Sequence, residues 1–172
     1  MAYQWLQQVN PLPKLLAQAL LLLGTVEVPG TANSPVILKW AKELGLQQTY
    51  SADSIPWCGL FIAYVVHKSG REPVHNPLWA RNWANWGVPS TTPSLGDILV
   101  FVRDGGGHVG IYVAEDATAY HVIGGNQSDK VSITRIAKNR CIAGRSPVDT
   151  NRPVTAKPYY LEASGALSTN EA

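Results

Sequence analysis

The first half of the chain carries apolar residues at helical spacing, in four segments that open at capping residues or prolines and end near glycines. These segments are residues 10–24, 34–45, 55–69 and 76–87. Proline suits the first turn of a helix and glycine suits its end. The pattern therefore predicts four helices.

After residue 87 the period changes to short apolar runs separated by turns that contain glycine. Such runs are typical of β-strands joined by turns. Five strands are predicted, over residues 98–102, 108–113, 120–123, 131–136 and 141–145. Helices followed by an antiparallel sheet predict an α+β fold.

The length of 172 residues predicts one compact domain, which we place in residues 1–150. The remaining residues, 151–172, are polar and contain prolines, so we expect this tail to be frayed. A hydrophobic share of 45% is too high for a disordered chain. We expect a monomer.

Charge and apolar patterning argue against two classes of partner. The net charge is only +2, and no run of Lys or Arg could follow a phosphate backbone, so nucleic acid is not predicted as a partner. The apolar stretch at residues 15–23 is too short to span a bilayer and lacks the flanks of an export signal. Stable membrane insertion is not predicted either.

Cys58 lies near the start of the third predicted helix. Unpaired N–H groups in the first turn of a helix lower the pKa of a thiol, and one of them can also bind an oxyanion. Cys58 also lies on the apolar stripe of the helix, so a buried core cysteine is the alternative interpretation. The residue is a candidate nucleophile on position alone.

His108 opens a strand directly after three glycines. Its face continues through Gly110 and Tyr112, and we expect this face to look toward the helix that begins with Cys58. A thiol and an imidazole in that arrangement can form a thiolate–imidazolium pair. The alternative is an exposed histidine in a loop.

Three runs in fixed order resemble one group of enzymes. Residues 53–61 (DSIPWCGLF), 95–101 (LGDILVF) and 107–112 (GHVGIY) are similar to the NlpC-type and CHAP-type cell-wall cysteine peptidases and amidases of the papain-like superfamily. The segment 122–128 (VIGGNQS) resembles the ending found in a group of bacteriophage endolysins. The resemblance implies a papain-like fold, with the nucleophile helix packed on the sheet.

The resemblance also implies roles for single residues. Cys58 would be the nucleophile and His108 the general base, while a third polar residue orients the imidazole. NlpC-type members favour His121 for that third role, and CHAP-type members favour Asn126. On a regular strand the two side chains point to opposite faces. We predict that Asn126 orients the ring.

Substrate contacts are predicted for Trp57, Trp83 and His121. Trp57 lies beside the nucleophile, and Trp83 belongs to a helical stripe with Trp79 and Trp86 that could stack on sugars or stem peptides. Aromatic residues at helical spacing also form ordinary cores, which is the alternative for this stripe. No cofactor and no metal site are predicted, because the four histidines and two cysteines lack the spacing of zinc ligands.

The resemblance implies a peptidoglycan hydrolase that cuts an amide bond of the wall peptide, as an endopeptidase or an N-acetylmuramoyl-L-alanine amidase. A phage endolysin would stay in the cytoplasm of the infected host until it is released to the periplasm and wall. A secreted antibacterial toxin would have similar sequence features. The alternatives of other classes are a non-catalytic wall-binding or virion structural module and an acyltransferase that uses the same thiol.

Overall fold

The computed structural model describes residues 2–149, 151–163 and 165–171. Three predicted helices are present as α1 (Lys14–Leu21), α2 (Pro35–Glu43) and α3 (Cys58–Lys68). The fourth predicted helix is a short 3₁₀ helix, Ala80–Asn85. Two further 3₁₀ helices, Gln4–Gln8 and Lys138–Arg140, were not predicted. Among the described helices, none is long and apolar enough to cross a membrane.

Helix α3 starts three residues later than its sequence pattern predicts. The carboxylate of Asp53, which precedes the predicted start of this helix, accepts hydrogen bonds from the backbone N–H groups of Val28 (2.9 Å) and Ser34 (2.6 Å) and does not cap the helix. These contacts tie the segment before α3 to the start of α2. As a result, Cys58 itself is the first residue of α3.

The sheet has six antiparallel strands, one more than predicted. They are β1 (Val88–Pro89), β2 (Ile98–Arg103), β3 (Gly106–Glu115), β4 (Ala119–Gly124), β5 (Ser132–Ala137) and β6 (Cys141–Ser146). Their order in space is β1-β6-β2-β3-β4-β5. The additional strand, β1, has two residues and is too short to show an alternating pattern. The α+β fold class is confirmed.

The two faces of the sheet are covered differently. The face that carries Val109, Ile111 and Val113 packs against α1 and α3, α2 packs on α3, and together they form the main core. The opposite face carries a smaller apolar cluster, consisting of Leu99, Phe101, Tyr112, Val122 and Ile136. Side chains alternate between faces along a strand, so His108 and Tyr112 share the face that points away from the helices.

The described part of the tail, residues 151–163 and 165–171, runs back over the strands. Arg152 forms an ion pair with buried Asp97 (2.7 Å), and Tyr160 forms a bridge with the end of β3. Further along, Glu171 is buried and pairs with Arg140 at 2.8 Å. The domain boundary predicted at residue 150 lies outside the described residues and stays a prediction.

Candidate active site

Cys58 lies at the amino end of α3, where the sequence pattern placed it, and is 3% exposed. The next residue, Gly59, lets the backbone of residues 77 and 78 come close. A Cβ atom at Gly59 would lie 2.9 Å from the carbonyl oxygen of Leu78 and nearer still to that of Pro77. The thiol is therefore held in a crowded position at the start of the helix.

The thiol sits where β3 extends beyond the end of β4. The last residues paired between these strands at this end are Ile111 and Ile123. Backbone N–H groups alternate in direction along an antiparallel strand. The N–H of Tyr112 points to the β2 side, where it donates to Asp97. That of Val109 therefore points to the β4 side, beyond the last pair, and acts to lower the pKa of the Cys58 thiol.

His108 directly precedes Val109, so the thiol lies beside the backbone of the candidate base. The ring of His108 packs near Phe101, its partner on β2, with 6.3 Å between ring centroids. The expectation that its face looks toward α3 is wrong, because the helices pack against the opposite face. Cys58 instead lies near the backbone of Val109, the residue after His108, at the open edge of β3.

The ring of His108 is held by Gln127, which the sequence analysis did not single out. Nε2 of the ring lies 3.0 Å from Oε1 of Gln127. The amide nitrogen of Gln127 donates to the carbonyl oxygens of Ser132 (2.6 Å) and Val122 (3.2 Å), which fixes the orientation of the amide. Since Oε1 can only accept, Nε2 of His108 carries the hydrogen. Nδ1 is then the acceptor nitrogen, and it has no hydrogen-bond partner among the described residues.

The contact predicted for Asn126 is therefore made by its neighbour. Strand β4 ends at Gly124, and Asn126 has a φ of 59°, in the left-handed region. This turn ends the regular alternation on which the prediction depended and directs Gln127 toward the ring. The Oδ1 atom of Asn126 is buried and has no partner in the described part of the chain.

Burial favours the uncharged form of both candidate catalytic groups. It raises the pKa of the Cys58 thiol, and the N–H of Val109 and the charge of Arg103 oppose this only partly. Burial also lowers the pKa of His108 to about 4, although the hydrogen bond to Gln127 and the charge of Glu171 act in the other direction. Both pKa shifts favour the neutral thiol and the neutral imidazole at pH 7, whereas the sequence pattern predicts a thiolate and an imidazolium.

His121, the other candidate for orienting the ring, belongs to a separate buried cluster. Its Nδ1 lies 2.8 Å from the hydroxyl of Tyr3, and its Nε2 lies 2.7 Å from the carboxylate of Asp116. It pairs with Ala114 on β3, which lies about 17 Å along the strand from Val109. The structure does not bring His121 to Cys58, and both nitrogens of its ring already have hydrogen-bond partners.

The two tryptophans predicted to contact substrate are also buried. Trp57 and Trp83 are both 0% exposed. Nε1 of Trp57 donates to Glu27 at 3.1 Å, and Nε1 of Trp83 donates to the carbonyl oxygen of Pro77 at 2.9 Å. Both rings are satisfied parts of the core; for Trp83 this is the alternative that the helical spacing had left open.

Residues 50–126 match the family model of the CHAP domain. The chain is therefore similar to CHAP domains over this segment, which covers less than half of its 172 residues. CHAP domains are generally hydrolases that act on peptidoglycan. The match confirms the resemblance to CHAP-type cell-wall peptidases, and it contains Cys58 and His108 but ends one residue before Gln127. No curated protein matches the chain.

Proposed function

We propose that the protein hydrolyses an amide bond of peptidoglycan, with Cys58 as nucleophile and His108 as general base. The observation that carries the proposal is the position of Cys58 at the amino end of α3, near the amide of Val109, the residue after His108, and this amide acts to lower the pKa of the thiol. This position puts the thiol beside the backbone of a histidine whose acceptor nitrogen has no partner among the described residues. A core cysteine does not need such a neighbour.

The reaction begins from neutral groups. As Sγ of Cys58 attacks the carbonyl carbon, Nδ1 of His108 takes the thiol proton, so the charged pair forms only during the attack. Gln127 accepts the Nε2–H hydrogen bond throughout and keeps the ring in the required tautomer. Backbone N–H groups of Cys58 and Gly59, which already interact with the sulfur, are available to the developing oxyanion.

Collapse of the tetrahedral intermediate breaks the amide bond, and His108 returns the proton to the leaving amine. The acyl group stays on Sγ as a thioester. A water molecule then attacks the thioester, His108 takes a proton from it, and the sulfur recovers that proton when the carboxylic acid leaves. Cys58 and His108 are buried in the substrate-free chain, so covering groups must move when the wall peptide binds.

We place this activity in phage lysis, which the resemblance of residues 122–128 to endolysin sequences supports. In this setting the protein accumulates in the cytoplasm of the infected host and reaches the periplasm and wall after the membrane is opened. The bond is one within the stem peptide or the one between muramic acid and L-alanine. Both reactions pass through the same acyl-enzyme.

Digestion of purified sacculi, followed by mass spectrometry of the soluble products, tests the proposal. The parent is expected to release fragments whose new termini identify the amide bond. Cys58→Ala should release none, whereas Cys141→Ala is the matched control and should retain the activity of the parent, because Cys141 lies on β6.

Two results would contradict the proposal. If the folded parent releases no fragment from sacculi of several wall types, the domain is a non-catalytic module. If Cys58→Ala releases the same fragments as the parent, another residue is the nucleophile.

A further inference from the structure

Trp79 differs from the other five tryptophans of the chain. Its side chain is 74% exposed, whereas Trp40, Trp57, Trp83 and Trp86 are all buried, and Trp5 is half-buried. An indole ring is the largest side chain that a core can bury, and leaving it in water forfeits the transfer free energy that burial would contribute. An exposed indole ring offers a flat apolar face on which a ligand can stack.

The backbone before Trp79 packs directly against the nucleophile helix. The carbonyl oxygens of Pro77 and Leu78 lie against Gly59, the neighbour of Cys58. The indole of buried Trp83 donates to the same carbonyl of Pro77. Trp79 is thus attached to a rigid segment, one residue beyond the contact with the first turn of α3.

The 3₁₀ helix Ala80–Asn85, which Trp79 precedes, also reaches the strand of the general base. The guanidinium of Arg81 donates to the carbonyl of Gly106 at 2.8 and 3.2 Å. A Cβ atom at Gly107, the neighbour of His108, would lie 2.8 Å from the side chain of Arg81. The segment therefore extends from the residue after Cys58 to the residue before His108, and forms one border of the candidate active site.

We propose that Trp79 is a stacking platform for a sugar ring of the peptidoglycan glycan strand; this inference rests on the function proposed above. The exposed face of an indole is flat, apolar and rigid. In the wall polymer, the side chains of the stem peptide are short or flexible, and the C–H face of a pyranose ring is the flat apolar surface of matching size. Stacking there would hold the glycan strand beside the cleft while its peptide enters.

Ligand binding to a chain that cannot turn over tests the inference. In the Cys58→Ala background, N-acetylglucosaminyl-N-acetylmuramic acid is titrated while tryptophan fluorescence is recorded, with sugar-free stem peptide as the second ligand. The disaccharide is expected to change the emission because it removes Trp79 from water. Trp79→Leu should abolish that change.

Affinity measured by calorimetry then separates stacking from simple proximity. Trp79→Ala should weaken disaccharide binding by at least about tenfold, whereas Trp79→Phe keeps a flat ring and should stay within about threefold. Tyr160→Ala is the matched control, because Tyr160 is also 74% exposed but bridges Glu115, about 20 Å along β3 from Val109. It should leave binding unchanged.

Binding of the stem peptide alone, or of no ligand, would overturn the role of Trp79 as a sugar platform. So would equal loss of affinity in Trp79→Ala and Tyr160→Ala. Because the readout is binding, a chain that binds the disaccharide but releases no fragments from sacculi would contradict the proposed hydrolysis and leave the role of Trp79 standing.

Discussion

His108 on β3 and His121 on β4 are both buried. Both rings form hydrogen bonds with side chains, but the groups around the two rings differ. Each ring nitrogen of His121 has a partner, Tyr3 on one side and Asp116 on the other. Asp116 is held in turn by two hydrogen bonds from Arg135, which keep the pKa of its carboxyl well below its usual range. Both ring nitrogens of His121 and both carboxylate oxygens of Asp116 therefore have hydrogen-bond partners.

In contrast, His108 has one partner, which is a neutral amide, and its Nδ1 atom is unpartnered among the described residues. Leaving a buried polar atom unpaired costs about 1–3 kcal/mol. A protein can retain such an unpaired atom when the atom has a function that a hydrogen-bonded atom could not perform. The comparison supports the proposed roles: His108, with one unpartnered ring nitrogen, would act in catalysis, and His121, with both nitrogens hydrogen-bonded, would stabilise the fold.

The largest expected effect comes from replacing each of the two histidines and comparing the loss of activity with the loss of stability. His108→Ala is expected to lower kcat by at least about a thousandfold, because the thiol then has no base to take its proton. His121→Ala should keep kcat of the folded enzyme within about threefold, but should lower the free energy of unfolding by about 2–3 kcal/mol, because Tyr3 and Asp116 lose a buried partner. Sacculus turbidity and urea unfolding measure the two effects. A large loss of kcat in both variants would break the comparison.

The second prediction concerns how the free energy of unfolding changes with pH. The pKa of His108 is about 4 in the folded chain and near 6.5 when unfolded, so between these values the unfolded chain binds a proton that the folded chain does not. Stability is therefore fully present above pH 6.5 and falls as the pH is lowered toward 4. The loss is about 3 kcal/mol.

The contribution of His108 is isolated by comparison with His108→Gln, which cannot titrate. Urea unfolding of both chains from pH 7 to pH 4 should show a steeper loss for the parent. Parallel curves for the two chains would mean that the His108 ring charges as easily when folded as when unfolded.

The smallest effect separates Gln127 from Asn126. Gln127→Met keeps the volume but removes the acceptor, and should lower kcat by about tenfold with KM little changed. Because the hydrogen bond to Gln127 raises the pKa of His108, its loss should also shift the acid limb of the kcat/KM profile to lower pH. Asn126→Gly tolerates the positive φ and should stay within about threefold of the parent. A larger loss of kcat in Asn126→Gly than in Gln127→Met would assign the positioning role to Asn126 instead.

The order of helices and strands, and the positions of Cys58 and His108, could be predicted because they depend on local signals. Prolines and glycines mark the ends of the helices, and three glycines precede the strand of His108. The partner of His108 could not be predicted by alternation, since β4 ends at Gly124 and the following turn decides which side chain reaches the ring. One signal was available: glutamine follows Asn126 directly, and a turn shifts the register by one residue.

Burial of the aromatic residues was harder to predict. Trp79, Trp83 and Trp86 have the same spacing that a single helical face would give, yet Trp79 alone is exposed. The segment is a 3₁₀ helix that begins after Trp79, so the three side chains do not share one helical stripe. A short segment of this kind is shaped by its contacts with Gly59 and Gly106, which lie far away in the sequence.

The position of β6 in the sheet has a consequence for synthesis of the chain. Strand β6 inserts between β1 and β2, although it is the last of the strands to leave the ribosome. Until residue 146 has emerged, β2 has an unpaired edge next to the apolar residues of both faces. Such an edge is a template for pairing with other chains. The nascent protein thus passes through a stage that is prone to aggregation, and ends it only when β6 closes the sheet.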